Sequence, residues 1–217
     1  MPKAAIPVNI IPQNMTCTGP MTLSLGTVAK QDKELAKWLI RAPTILVNLG
    51  SGFEFSKQNA IIMAEAITKI LRSSRVQVLW KIKKDSSYTD QFLKPLLPFA
   101  DVGRVKVERW LAADPSSLLE SGHVIAAGVP QVILPQWLDL YGFAQLAEYT
   151  GVGVWACRET SPMWTVNCVF DALLEVINGT DSQSFRDKAA ALQLLAQANP
   201  GRYVAASEIA RLAGTGT

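Results

Sequence analysis

The hydrophobic pattern of this chain alternates between short strand-like segments and longer stretches with apolar residues at helical spacing. The strand-like segments lie at residues 44–49, 76–82, 105–109, 131–134 and 152–156, and the first of them is a continuous apolar run. Continuous runs of this length are typical of strands buried on both faces of a parallel sheet. Helical spacing follows at residues 31–41, 56–72, 140–150, 164–178, 182–198 and 204–213, with a helical or irregular stretch at 88–99. This alternation predicts an α/β fold with a doubly wound, mostly parallel sheet and C-terminal helices.

Residues 1–26 differ in kind from the rest of the chain. They contain several prolines and glycines and show no helical periodicity, which is typical of an extended segment. We therefore expect a lead-in or interdomain linker at residues 1–26, followed by one domain at residues 27–217.

One connection in this pattern is too short for the predicted sheet. A candidate strand at His123–Ile125 is followed almost at once by the strand at Gln131–Leu134. Two parallel strands need a crossover of about a dozen residues or more, usually a helix. In a nucleotide-binding fold, the absent piece would be a phosphate-binding loop and its helix.

Composition and charge exclude several functional classes. The chain is 49% apolar and 18% charged with a net charge of +3, which fits a folded domain with a buried core. The basic residues are scattered except for a run at residues 81–84, which we expect to be a solvated strand end, and this predicts no dedicated nucleic-acid binding. No apolar span of about 20 residues is present, so we expect no membrane span and a cytoplasmic location.

The cysteines and the histidine give no metal-site pattern. Cys17, Cys157 and Cys168 follow no ligand spacing, and His123 is the single histidine. We therefore predict no metal and no bound cofactor, and we expect reduced, buried cysteines. A lone histidine in an apolar segment is usually structural, so His123 is not assigned as a base.

The turn after the first strand is a candidate phosphate site. Gly50-Ser51-Gly52 follows the apolar run, and glycines there allow the backbone to approach a phosphate. A plain tight turn explains the same residues. The turn is not a dinucleotide fingerprint, because Phe55 occupies the third glycine position and Lys81 stands where an acidic ribose ligand is expected. NAD-dependent redox chemistry is thereby disfavoured.

Two further residues follow predicted strands. Trp110 could stack a base with its indole face, although packing in the core or at its rim is the ordinary role of such a residue. Asp139 could accept hydrogen bonds from sugar hydroxyls; alternatively, it caps a helix that begins at Leu140.

Taken in order, these pieces resemble the C-terminal, donor-binding half of UDP-glycosyltransferases with the GT-B fold, in particular the fungal and bacterial macrolide-glycosyltransferase-like branch. The matching segments are TILVNLGS (44–51), WLAADPSSLL (110–119), AAGVPQVILPQWLD (126–139) and YTGVGVW (149–155). The resemblance implies a Rossmann-like domain that binds a UDP-sugar. It places Gly50 and Ser51 near the donor diphosphate, Trp110 against the uracil and Asp139 at the hydroxyls of the transferred sugar. Leu140 stands where many members have a glutamine that also holds the sugar.

The chain departs from this family in two respects. The family's His-Gly-Gly loop, its helix and its ribose-binding glutamate are missing between Val124 and Ala126, and the acceptor half with its histidine base is not in the chain. The resemblance therefore implies a donor half for transfer of a hexose to a small-molecule hydroxyl, inactive alone and without a catalytic residue of its own. A separate acceptor-half chain would complete it. The alternatives are a non-catalytic nucleotide-binding or partner-binding module, or an inactive truncated product.

Overall fold

A computed structural model describes residues 11–19, 21, 26–113, 128–198 and 200–214. The helices are α1 (Val28–Gln31), α2 (Lys33–Leu39), α3 (Lys57–Ser73), a 3₁₀ helix (Asp90–Leu96) that continues into α4 (Leu97–Asp101), α5 (Leu138–Thr150), α6 (Val166–Asn178), α7 (Ser182–Ala198) and α8 (Gly201–Gly214). The strands are β1 (Thr44–Val47), β2 (Gln77–Lys81), β3 (Val105–Glu108), β4 (Gln131–Ile133) and β5 (Gly153–Trp155). The predicted strand at His123 and the first residues of the short connection that follows it lie outside the described residues.

Helix α3 forms as its sequence predicts. The Ser56 side chain caps the helix by accepting a hydrogen bond from the Asn59 backbone N–H at 3.2 Å. Ile62, Ala66 and Ile70 recur at helical spacing and are all buried. A polar cap followed by an apolar stripe fixes both the start of the helix and the face that it turns to the core.

All recorded strand pairs are parallel. β2 lies between β1 and β3 in one sheet, and each of its residues is buried. β4 and β5 pair in a second, two-stranded sheet. The predicted parallel α/β fold is therefore confirmed, although the described strands form two sheets where the pattern predicted one.

One hydrophobic core spans both sheets. It contains Val47 and Phe55 from the first part of the chain together with Leu134 and Val169 from the second. The Phe55 ring meets the Trp164 ring at 5.9 Å between centroids. The shared core joins the two sheets, although no described strand of one sheet pairs with a described strand of the other.

The prediction of reduced cysteines is wrong for two of the three, and Cys17, which keeps its thiol, is only half-buried. Cys157 and Cys168 form a disulfide, with 5.0 Å between their Cα atoms. The fold brings the residue two positions after β5 beside the first turn of α6, a proximity that the spacing along the chain does not reveal. Disulfides are rare in the cytosol, so this pairing gives no support to the predicted cytoplasmic location.

Within the described part of the chain, no helix has the length and apolar character needed to cross a membrane. Residues 11–19 contain a turn but no helix or strand, and the boundary between lead-in and domain stays a prediction.

Candidate functional site

The carboxyl ends of β1, β2 and β3 meet at one edge of the sheet because the strands are parallel. Ligands of α/β sheets bind at this edge. Gly50 follows β1 by three residues, Lys81 ends β2, and Trp110 follows β3 by two residues. The topology therefore gathers three residues that are far apart in the sequence.

The turn after β1 is built around Gly50. Its φ of +82° lies in the left-handed region that glycine favours, and its N–H donates to the Asn48 side-chain oxygen at 3.1 Å. A side chain built on Gly50 would meet nothing within 4 Å, and Ser51 beside it is exposed. The tight turn predicted for this segment is present, and its surface is open.

Lys81 connects this turn to the third strand. Its ammonium donates to the Gly50 carbonyl at 3.2 Å and lies 5.2 Å from the centroid of the Trp110 ring. The residue is only 9% exposed, because it ends the central strand and has a strand on each side.

The prediction of a solvated basic run is therefore wrong for most of that run. Lys81 is buried, and the Lys84 side chain is 11% exposed and pairs with Asp90 at 3.2 Å. Lys83 is exposed. Lys83 and Lys84 are neighbours, and side chains of neighbouring residues in extended backbone point to opposite faces.

Trp110 is not a core residue. It is 73% exposed, and the chain returns to the core only at Leu111 and Ala113. The Lys81 ammonium lies over its ring, an arrangement that the negative face of the indole favours. Most of the indole surface is open to a second planar group.

Asp139 lies apart from these residues. It is exposed in the first turn of α5, which follows β4 in the second sheet. The alternative role as a helix cap is wrong, because the helix begins earlier than predicted and Trp137 is its N-cap residue. Among the described residues, no recorded contact joins Asp139 to Gly50, Lys81 or Trp110.

Sequence reasoning missed Lys81 as a site residue and used it only as an argument against a ribose ligand. The available signal was a lysine that directly follows the apolar residues Val78, Leu79 and Trp80 of a predicted buried strand. His123 lies outside the described residues. In the part of the chain that the structure covers, no group of three or more histidine, cysteine or carboxylate side chains could hold a metal ion.

The arrangement favours a ligand that combines a planar ring with an anion. The open indole of Trp110 can stack a ring, and the Lys81 ammonium beside the Gly50 turn can attract negative charge. The Ser51 hydroxyl adds a hydrogen-bond donor at the same turn.

Comparison with curated proteins finds a glycosyltransferase. Glycosyltransferase sdnJ of Sordaria araneosa is 35% identical over 192 residues, which cover 79% of this chain and 36% of that protein. No protein-family profile matches the chain.

Solved structures share the fold. A UDP-glucosyltransferase from Polygonum tinctorium matches with a TM-score of 0.63 and 21% identity, over 82% of this chain and 44% of that one. Os79 from O. sativa in complex with UDP matches with a TM-score of 0.59 and 20% identity, over 74% and 39%. A UDP-glucose:anthocyanidin 3-O-glucosyltransferase in complex with UDP matches with a TM-score of 0.62 and 20% identity, over 77% and 39%. The chain thus spans less than half the length of each protein that it matches here.

Proposed function

This chain belongs to the UDP-glycosyltransferases and has the fold of their C-terminal GT-B half, and from this premise we propose that it binds the sugar donor. It would bind a UDP-sugar for transfer of a hexose to the hydroxyl of a small acceptor molecule. The exposed indole of Trp110, linked through Lys81 to the open turn at Gly50, is the observation that carries this proposal.

The proposed roles follow from the chemistry of each group. Uracil stacks on Trp110, because a planar base gains from an open indole face. The diphosphate lies along Gly50 and Ser51, where backbone and hydroxyl donors are available. Asp139 accepts hydrogen bonds from the sugar hydroxyls, and this assignment is carried by the resemblance to the family, since Asp139 lies apart from the other three residues.

The proposed reaction is a direct displacement at the anomeric carbon of the sugar. The acceptor oxygen forms the new bond, UDP leaves with the bonding electron pair, and a base takes the acceptor proton. We assign that base to an acceptor half on a separate chain, and we assign no metal or other cofactor to this one. Two of the similar solved structures contain UDP, which supports UDP as the nucleotide.

We further propose that the donor site is incomplete. The predicted strand at His123–Ile125 is followed by the strand at Gln131 after a connection that is too short for a parallel crossover. This spacing supports the loss of the loop and helix predicted to be missing after Val124. A loop at a helix N-terminus is a principal way to bind phosphate, so its loss lowers donor affinity and prevents turnover by the chain alone.

Binding of uridine tests the role of Trp110. We expect uridine at about 10–100 mM to shift the indole N–H resonance of Trp110 and the amides of Gly50 and Ser51 in NMR spectra. Trp110→Ala should abolish the response at the turn. Trp137→Ala removes another exposed tryptophan, 61% exposed, and should leave the response unchanged. No shift in the wild type, or an unchanged response in Trp110→Ala, contradicts the proposal.

Turnover is tested by release of UDP from UDP-glucose. The isolated chain should neither hydrolyse the sugar nucleotide nor transfer its sugar, with or without EDTA. Sustained release of UDP, lost in Asp139→Asn, would show that the chain is an enzyme by itself.

A further inference from the structure

Lys81 is a buried cation without a recorded carboxylate partner in the described part of the chain. The ion pairs recorded there are Lys37–Glu34, Lys84–Asp90, Arg158–Glu148 and Arg211–Glu208. Glu108 is the register partner of Lys81 on β3, but it is exposed and forms none of these pairs. Burial of an ammonium group without an opposite charge is unfavourable, so this position favours an anion.

The recorded contacts leave part of the ammonium unused. A lysine has three N–H donors, and one hydrogen bond is recorded for Lys81, to the Gly50 carbonyl at 3.2 Å. The contact with Trp110 is electrostatic and needs no donor. Within the described part of the chain, two donors therefore remain for a group that binds at the turn.

The positions of Lys81 and Trp110 provide separate contacts for the base and for the anionic group of a ligand. Lys81 lies over one face of the Trp110 ring, while the residue's 73% exposure leaves indole surface open. A planar base can stack on the open surface, and an anionic group attached to it can approach Lys81 along the Gly50 turn.

We propose that Lys81 binds the phosphoryl or pyrophosphate group of the nucleotide, an inference that rests on the proposed donor-binding function. Its charge replaces part of the stabilisation that the missing loop would supply. The site should therefore prefer nucleotides to nucleosides, and that preference should depend on the charge of Lys81.

Titration with pyrophosphate in the absence of uridine tests this proposal. In the wild-type chain, pyrophosphate should shift the amide resonances of Gly50 and Ser51 saturably, and increasing salt should weaken the effect. Lys81→Met keeps the length of the side chain without its charge and should weaken binding at least about tenfold, equivalent to about 1.4 kcal/mol. Lys81→Arg should retain much of it. No shift in the wild type, or equal binding by Lys81→Met, overturns the proposal.

A measurement on the wild-type chain keeps the test independent of how the variants fold. Pyrophosphate should slow acylation of the Lys81 amine by a small amine-reactive acylating reagent. The rate at the exposed Lys83, two residues away, should not change. Equal rates at Lys81 with and without pyrophosphate contradict the role.

The responses to uridine and to pyrophosphate distinguish a failure of this inference from a failure of the proposed function. A response to uridine at Trp110 without a response to pyrophosphate overturns the role of Lys81 and keeps the donor site. A response to pyrophosphate without one to uridine keeps the anion site and contradicts UDP binding. If both are correct, UDP should bind the wild type at least about tenfold more tightly than uridine, a difference of about 1.4 kcal/mol, and Lys81→Met should lose most of this preference.

Discussion

Tyr88 illustrates how its surroundings change the chemistry of a single side chain. Its hydroxyl donates to the Phe55 carbonyl at 2.7 Å, and the residue is buried. Burial is the main cause that raises its pKa from 10.0 to about 12, and the negative charges of Asp85 and Asp90 add to it. The neutral phenol is therefore favoured in the folded chain.

This shift predicts a loss of stability in strong alkali. Because the folded pKa lies above the unfolded value, the contribution of Tyr88 is complete below pH 10 and is lost as the pH rises toward 12. The ultraviolet pH titration of the wild type, after subtraction of that of Tyr88→Phe, should show a phenol that ionises near pH 12. A midpoint near the ordinary value of about 10 would contradict the burial of the Tyr88 phenol.

Lys81 and Lys83 show what sequence reasoning can and cannot recover at the residue scale. Both belong to one basic run, but Lys81 is buried at the end of the central strand and Lys83 is exposed. The central position of β2 depends on pairing with β1 and β3, which are distant in sequence. The position of Trp110 after a predicted strand makes it a candidate from sequence alone. Its exposure could not be predicted, because it depends on where the chain returns to the core.

At the scale of elements, α3 and the strands could be predicted from local sequence, because a helix cap and a repeating spacing of apolar residues each involve only a few neighbouring residues. The start of α5 was placed too late, since its N-cap residue Trp137 makes no side-chain cap and carries no polar signal. The pairing of Cys157 with Cys168 and the division into two sheets were not predictable from local patterns. Both depend on contacts between separate elements.

The disulfide should stabilise the connection between β5 and α6. It closes a loop with a sequence separation of 11 residues, and removal of a disulfide of this kind costs about 2–4 kcal/mol. The variant with Cys157→Ser and Cys168→Ser should lose that much unfolding free energy in chemical denaturation. Addition of a reductant to the wild type should give the same loss. Peptide mapping that finds both thiols alkylated in the native, unreduced protein would contradict the pairing.

At the scale of the whole molecule, the family resemblance recognised from the sequence is confirmed by a glycosyltransferase at 35% identity and by UDP-glucosyltransferase folds. The motifs for the turn, the tryptophan and the strand before Asp139 carried that recognition. Binding by Gly50, Ser51, Trp110 and Asp139 stays a prediction. Residues 114–127 lie outside the described structure, and the proposal of a missing block follows from the sequence spacing.

Calorimetric titration with UDP, performed on the chain with and without a restored block, tests the central claim most directly. The restored variant carries a His-Gly-Gly-containing block inserted after Val124. The account predicts a dissociation constant weaker than about 1 mM for the natural chain and at least tenfold tighter binding after restoration. Tight, saturable binding of UDP by the natural chain, or no gain after restoration, would contradict an incomplete donor site.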